Sequence, residues 1–170
     1  MSDLTASPQA TEAEPTEEDA SPYGPAFFDQ PPGHDWFLVR LIDMANRYGL
    51  ETGVILTVGG TTVTGQIISG RKFFVEMAEG LAKATITSTD EGAEPTIAEV
   101  MSEAFGTYKD VYLEPGDEAW ETKTPRAAYI HLRNAKILVP GQPLVPANGL
   151  LWRGKLTSID GVALGTVSNT

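Results

Sequence analysis

The residues best suited to specific chemistry lie in the C-terminal third of the chain. Tyr129, His131 and Arg133 alternate along one predicted strand, and Arg153 and Lys155 alternate along the next. Alternate residues of a strand point to the same face, so the five side chains share one face if these strands are neighbours. Aromatic and arginine side chains are typical of protein interaction sites. The pattern therefore predicts a partner-binding face.

Catalytic and cofactor chemistry finds less support. The chain has no Gly-x-Ser-x-Gly element, and its two histidines, His34 and His131, leave a catalytic triad to contacts that sequence does not reveal. Cysteine is absent, and no His or carboxylate residues have a metal-ligand spacing. Gly59-Gly60 is not followed by the Lys-Ser/Thr of a phosphate loop. We predict no catalytic residue, metal or cofactor, and we expect His131 to be half-exposed.

The charge of the chain is acidic and unevenly placed. Its 170 residues carry a net charge of −11. Residues 1–33 hold seven acids and no Lys or Arg, whereas residues 122–159 hold six bases and no acid. A segment rich in Glu, Pro and Ser and poor in large apolar side chains buries too little surface to fold. We predict a disordered acidic tail over 1–33, which Phe27 and Phe28 can pin to one domain over 34–170.

Composition also bounds the location and the class of partner. No apolar run reaches the roughly 18 residues that span a bilayer, and the first residues lack the pattern of a secretory signal. The absence of cysteine fits a reducing compartment. The sequence therefore predicts a cytoplasmic protein with no membrane partner. Its net negative charge disfavours nucleic acid, since binding there depends on neutralising phosphates.

Three helices are predicted to position the candidate residues. Asp35 can cap a first helix that ends before Gly49, and Ser69 can cap a second. Thr96 and Glu99 have the form of a capping box at the start of a third helix. Apolar residues recur at helical spacing in all three segments, which predicts one apolar stripe on each helix.

The first two strands are predicted to form a hairpin. Residues 54–58 and 61–68 flank Gly59-Gly60, a dipeptide that suits a tight hairpin turn. Gly65 lies inside the second strand, where an isolated glycine indicates a bulge or a sharp bend. A bent strand can take part in two faces of a small curled sheet.

Three further strands are predicted after the helices. A Pro-rich loop over 140–149 separates the first two of them, and Asp160-Gly161 is typical of a hairpin turn before the last. The order α-β-β-α-α-β-β-β predicts an α+β fold with a curled antiparallel sheet of about five strands. A helix precedes the sheet, and a helical insertion separates strands two and three. Such a sheet can close into an Sm-like or SH3-like barrel.

Several segments share their order and spacing with one known family. They are residues 128–137 (AYIHLRNAKI), 151–156 (LWRGKL), 159–161 (IDG) with 164–165 (LG), 48–50 (YGL), 64–69 (TGQIIS) and 99–105 (EVMSEAF). Together they resemble the gas vesicle accessory protein U family (GvpU-like) over roughly residues 35–168. The resemblance implies a non-enzymatic accessory protein associated with gas vesicles and their clustering. Its implied partners are the vesicle shell or other gas vesicle proteins.

Three hypotheses of different classes follow. The first is a self-associating gas vesicle accessory protein, in which the acidic tail of one molecule meets the basic strand face of another. The second is an Sm-like or SH3-like binding module for nucleic acid or a peptide, which fits the strand order. The third is an enzyme, which requires a deep pocket with perturbed titratable groups.

Overall fold

A computed structural model describes residues 35–84, 96–120 and 127–167. Within these residues the helices and strands occur in the predicted order. The helices are α1 (Trp36–Tyr48), α2 (Gly70–Ala84) and α3 (Ile97–Thr107), and the strands are β1 (Thr52–Val58), β2 (Thr61–Ile67), β3 (Tyr129–Leu138), β4 (Val145–Lys155) and β5 (Gly161–Leu164). The predicted acidic tail, with Phe27 and Phe28, and residues 85–95 and 121–126 lie outside the described residues.

The five strands form one antiparallel sheet in the order β4-β3-β2-β1-β5. The α+β prediction is therefore confirmed, with a helix before the sheet and helices between β2 and β3. Strands β4 and β5 lie at opposite edges and do not pair with each other. The sheet is open, so the expected closure into an Sm-like or SH3-like barrel is not formed by the described strands.

The helix ends carry the caps that the sequence predicts. The Asp35 carboxylate accepts a hydrogen bond from the Phe37 backbone N–H at 2.8 Å, and α1 ends at Gly49 with a left-handed φ of 68°. A cap satisfies backbone donors that have no partner inside the helix. The Ser69 hydroxyl accepts from an N–H in the first turn of α2, and the capping box of α3 is present.

The hydrophobic core lies between α1 and one face of the sheet. Leu38, Ile42 and Ala45 occupy the inner stripe of α1, as the helical spacing predicts. They pack with buried residues of the strands, namely Val54, Leu56, Val63, Ile67, Ile130, Leu132 and Ala135. Trp152 is partly buried and packs against this core.

A bulge lies beside Gly65, but the extra residue belongs to the partner strand. Between the pairs Thr64↔Lys136 and Gln66↔Arg133, β3 contains one residue more than β2. The backbone of β3 comes so close that a Cβ at position 65 would lie 3.1 Å from the Cα of Ala135. The glycine therefore permits a bend that the facing strand makes.

Two predictions about the C-terminal strands are wrong. Strand β4 begins at Val145, so the connection from β3 is shorter than the expected loop over 140–149. Asp160-Gly161 is not a hairpin turn, because β5 pairs with β1 at the far edge of the sheet. A 3-10 turn, Leu156–Ser158, carries the chain across, and its Leu156 side chain is buried in the core. The Asp160 carboxylate instead accepts a hydrogen bond from the Gly59 N–H at 2.7 Å.

Candidate partner-binding site

Strands β3 and β4 are neighbours, and their register brings the predicted residues together. Tyr129 lies opposite Lys155, and His131 lies opposite Arg153. Ile130 and Leu132, which alternate with these residues, point into the core beneath α1. The predicted residues therefore lie on the other face of the sheet, where α2 packs. The expected clustering of Tyr129, His131, Arg153 and Lys155 on one face is confirmed.

Arg153 is the central side chain of this cluster. Its guanidinium carbon lies 3.4 Å from the centre of the Tyr129 ring, which is a close cation–π contact. Its Nε–H donates to His131 Nε2 at 3.3 Å. Because Nε2 accepts this bond, the imidazole is neutral and carries its proton on Nδ1.

His131 is buried, with 2% of its surface exposed, which corrects the expectation of a half-exposed residue. Its ring lies between Phe73, at a centroid distance of 4.8 Å, and Tyr112, at 5.7 Å. Burial, and then the nearby Arg153 charge, lowers the pKa of His131 from 6.5 to about 3. A base that stays neutral in this way serves the packing and the position of Arg153.

Tyr112 covers the same cluster from the segment after α3. Burial raises the pKa of Tyr112 above its ordinary value of 10.0, and the charge and hydrogen bond of Arg153 act against that rise. The Tyr112 ring lies directly on Gly70, the first residue of α2, where a Cβ would overlap ring atoms. The Gly70 N–H donates to Asn46 Oδ1 at 2.9 Å, which connects this point to α1.

Gly70→Ala is expected to lower the free energy of unfolding by about 1–2 kcal/mol, because the added methyl group displaces the Tyr112 ring from its contact with α2. Gly80 is the matched control, since it lies in the same helix and a Cβ there meets nothing within 4 Å. Gly80→Ala should stabilise the protein by up to about 1 kcal/mol through helix propensity. Urea unfolding of both variants measures the difference, and equal effects would contradict the packing of Tyr112 on α2.

Arg133 lies on the same face, but its guanidinium forms ion pairs within the domain. Its guanidinium contacts Glu51 at 2.6 Å and Glu76 of α2 at 3.2 Å, and it donates to Gln66 at 2.8 Å. Lys72 also pairs with Glu51. Arg133 therefore joins the sheet to α2, and its charge is neutralised within the domain. Among the predicted partner-binding residues, Arg133 is thus paired within the domain and His131 is buried, and the partner-binding role of Tyr129, Arg153 and Lys155 stays a prediction.

A cavity of about 460 Å³ opens beside Arg153. Its walls are mostly aromatic, with Phe73 and Phe74 from α2, Phe105 from α3, and Tyr108 and Tyr112 from the segment that follows. Met77 and Val111 complete the apolar lining. Helical spacing predicted one apolar stripe on each helix but did not predict that these aromatic residues converge on Arg153. The number of aromatic residues in two successive helical segments is the sequence signal that could have predicted this convergence.

Comparison with protein families identifies the domain that carries this site. A family model described as gas vesicle protein GvpU-like matches residues 35–167. The chain belongs to the GvpU-like family. The match extends from the cap of α1 to three residues beyond the end of β5, so the GvpU-like domain contains the cluster, the cavity and the ion pairs of Arg133. The resemblance that the sequence suggested is confirmed.

Other comparisons add no relative with a solved fold. No curated protein matches the chain, and no solved structure matches it. The GvpU-like family is a gas vesicle family and not a known enzyme family. No three His or acidic residues converge to hold a metal ion in the described part of the domain. Among the described helices, none is long and apolar enough to cross a membrane.

Proposed function

We propose that this protein is a non-enzymatic gas vesicle accessory protein that binds or clusters gas vesicles through self-association and weak multivalent contacts. The observation that carries the proposal is the family match over residues 35–167. Its partners are the gas vesicle shell or other gas vesicle proteins, and it acts in the cytoplasm where it associates with vesicles.

Charge provides the means of association in this proposal. The acidic residues of 1–33 on one molecule meet the Arg153 and Lys155 side chains of another. A single exposed charge pair contributes only about 0–1 kcal/mol. Several such contacts, once linked in one assembly, act at high effective concentration and produce avidity that no single contact has.

Co-flotation with purified gas vesicles tests the vesicle role. The protein is expected to float with the vesicles at low salt and to be released as salt rises, because exposed charge pairs are screened. Bovine serum albumin, another acidic protein, serves as the control for trapping in the floating layer. Absence of the protein from the vesicle layer at every salt concentration would contradict vesicle binding.

The role of the acidic segment is tested by replacing its seven acids with the corresponding amides in the full chain. Vesicle clustering, measured by light microscopy and turbidity, is expected to fall and to lose its salt dependence. Acid-to-amide replacement of seven exposed acids elsewhere in the domain provides a control of equal charge change. Clustering that is unchanged in the first variant would remove the segment from the mechanism.

A further inference from the structure

The arginines of the described residues differ in whether a carboxylate opposes them. Arg40 and Arg47 pair with Asp43, Arg71 pairs with acidic residues near α3, and Arg133 pairs with Glu51 and Glu76. Within residues 35–84, 96–120 and 127–167, Arg153 forms no such pair. Its contacts are the Tyr129 ring, His131 Nε2 and the Tyr112 side chain.

The contacts of Arg153 orient its guanidinium but do not neutralise it. The ring of Tyr129 lies against its face, and Nε–H is used by His131. Besides the hydrogen bond to Tyr112, the two terminal nitrogens have further N–H donors, and these can bind a carboxylate in bidentate fashion. The guanidinium also lines the aromatic cavity, so one ligand can place a ring in the cavity and a carboxylate on the arginine.

We propose that this cavity binds an aromatic–acidic peptide segment, and that the segment is Phe27-Phe28-Asp29 of a second copy of the chain. The proposal rests on the self-association proposed above and names its contact. In an extended segment Phe27 and Asp29 point to the same side, about 7 Å apart. One phenylalanine ring then enters the cavity while the Asp29 carboxylate reaches Arg153.

Charge and size both favour this occupant. Residues 1–33 carry seven acids and no Lys or Arg, so the segment approaches a cation that has no acidic partner in the described domain. A volume of about 460 Å³ falls within the range of about 300–1,000 Å³ of pockets that enclose small ligands. The contact is heterologous, with a segment on one copy and a cavity on the next, so it can repeat along a chain of molecules.

A labelled peptide of residues 22–34 tests the site directly. The receptor is the full chain with Phe27→Ser and Phe28→Ser, so that its own segment does not compete, and binding is followed by fluorescence anisotropy. Arg153→Gln in that receptor is expected to weaken binding by about tenfold or more, because it removes a charge-assisted bidentate contact. Lys136→Gln removes the same charge from the neighbouring strand β3, at a position that does not line the cavity, and is expected to change binding by less than about threefold.

A second pair of variants tests the cavity without touching Arg153. Val111 lines the cavity and is 64% exposed, so Val111→Glu should leave the fold intact and repel the acidic peptide. Val139→Glu makes the same change at an exposed position that does not line the cavity, and should bind the peptide normally. Equal losses in Arg153→Gln and Lys136→Gln, or undiminished binding to Val111→Glu, would overturn the proposal.

Mixing two variants of the full chain tests whether the contact joins separate copies. In sedimentation velocity the unmodified chain should form species larger than a dimer, whereas Arg153→Gln and the Phe27→Ser, Phe28→Ser variant should each be monomeric. An equimolar mixture pairs one intact segment with one intact cavity, so it should stop at a dimer. Monomers in the mixture, or association that persists in either variant alone, would overturn the proposal.

Vesicle binding and self-association are measured separately, the first by flotation and the second by sedimentation velocity. Flotation of Arg153→Gln with gas vesicles, together with loss of its self-association, leaves vesicle binding in place and supports the cavity contact. Self-association through the cavity without flotation supports the contact and removes the vesicle role. The vesicle role and the cavity contact can therefore each be contradicted without the other.

Discussion

Replacing His131 by glutamine is expected to remove a loss of stability that the unmodified protein shows as pH falls from 6.5 to 4.5. The pKa of His131 is lowered from 6.5 to about 3 in the folded chain, chiefly by burial and also by Arg153. When pH falls below 6.5, the unfolded chain takes up a proton that the folded chain does not. The free energy of unfolding therefore falls with decreasing pH, by about 1.4 kcal/mol for each pH unit.

Between pH 7.5 and 4.5 this loss amounts to about 2–3 kcal/mol in the unmodified chain, and it should be absent in His131→Gln. Urea unfolding at four pH values measures the difference between the two proteins. Contributions from all other groups cancel in that difference, because both proteins retain them. Arg153→Gln should narrow the pH range over which the free energy of unfolding falls, since it removes the second cause of the lowered pKa of His131. Parallel pH profiles would contradict a neutral, buried His131.

Arg133→Met is expected to lower the free energy of unfolding by about 2–3 kcal/mol, because it leaves two carboxylates beside each other in a partly buried site. The Arg133 side chain is 29% exposed, and Glu51 and Glu76 are 23% and 25% exposed. Among the residues that the structure describes, Lys72 alone remains to oppose the two charges. The connection between β3 and α2 should weaken, and α2 should become more open to hydrogen exchange.

Lys83→Met is the matched control for Arg133→Met. Lys83 pairs with Glu79 at 3.7 Å, and their side chains are 75% and 59% exposed, so its loss should change stability by less than about 0.5 kcal/mol. Adding Glu51→Gln and Glu76→Gln to Arg133→Met should recover part of the lost stability, since the unopposed charges are then gone. Failure of this rescue, or a loss no larger than that of Lys83→Met, would contradict the electrostatic account.

Local signals predicted the elements because their causes lie within a few residues. The Asp35 cap, the Gly49 stop and the Thr96 capping box each satisfy backbone groups of their own helix, and all three are present. Strand alternation likewise predicted which side chains of β3 and β4 share a face. These features need no knowledge of distant parts of the chain.

The wrong predictions depended on partners that are distant in sequence. Asp160-Gly161 has the local form of a hairpin turn, yet β5 gains more by pairing with β1 while Leu156 is buried in the core. His131 looked half-exposed because its strand neighbours are polar, but α2 and Tyr112 cover it. Arg133 looked available because its opposing charges, Glu51 and Glu76, are far away in the chain.

By itself, the sequence determined the order of the elements, the α+β class, the family and the set of polar side chains that share one face of β3 and β4. Only the tertiary structure decided which of those side chains are buried or paired with carboxylates inside the domain. Packing of α2 onto the sheet helps to neutralise Arg133 and buries His131. Arg153 lies beside an aromatic cavity and has no carboxylate partner in the described domain. The reason is that charge pairing and burial depend on which residues meet in space, and the register of a strand and the spacing of a helix do not specify that.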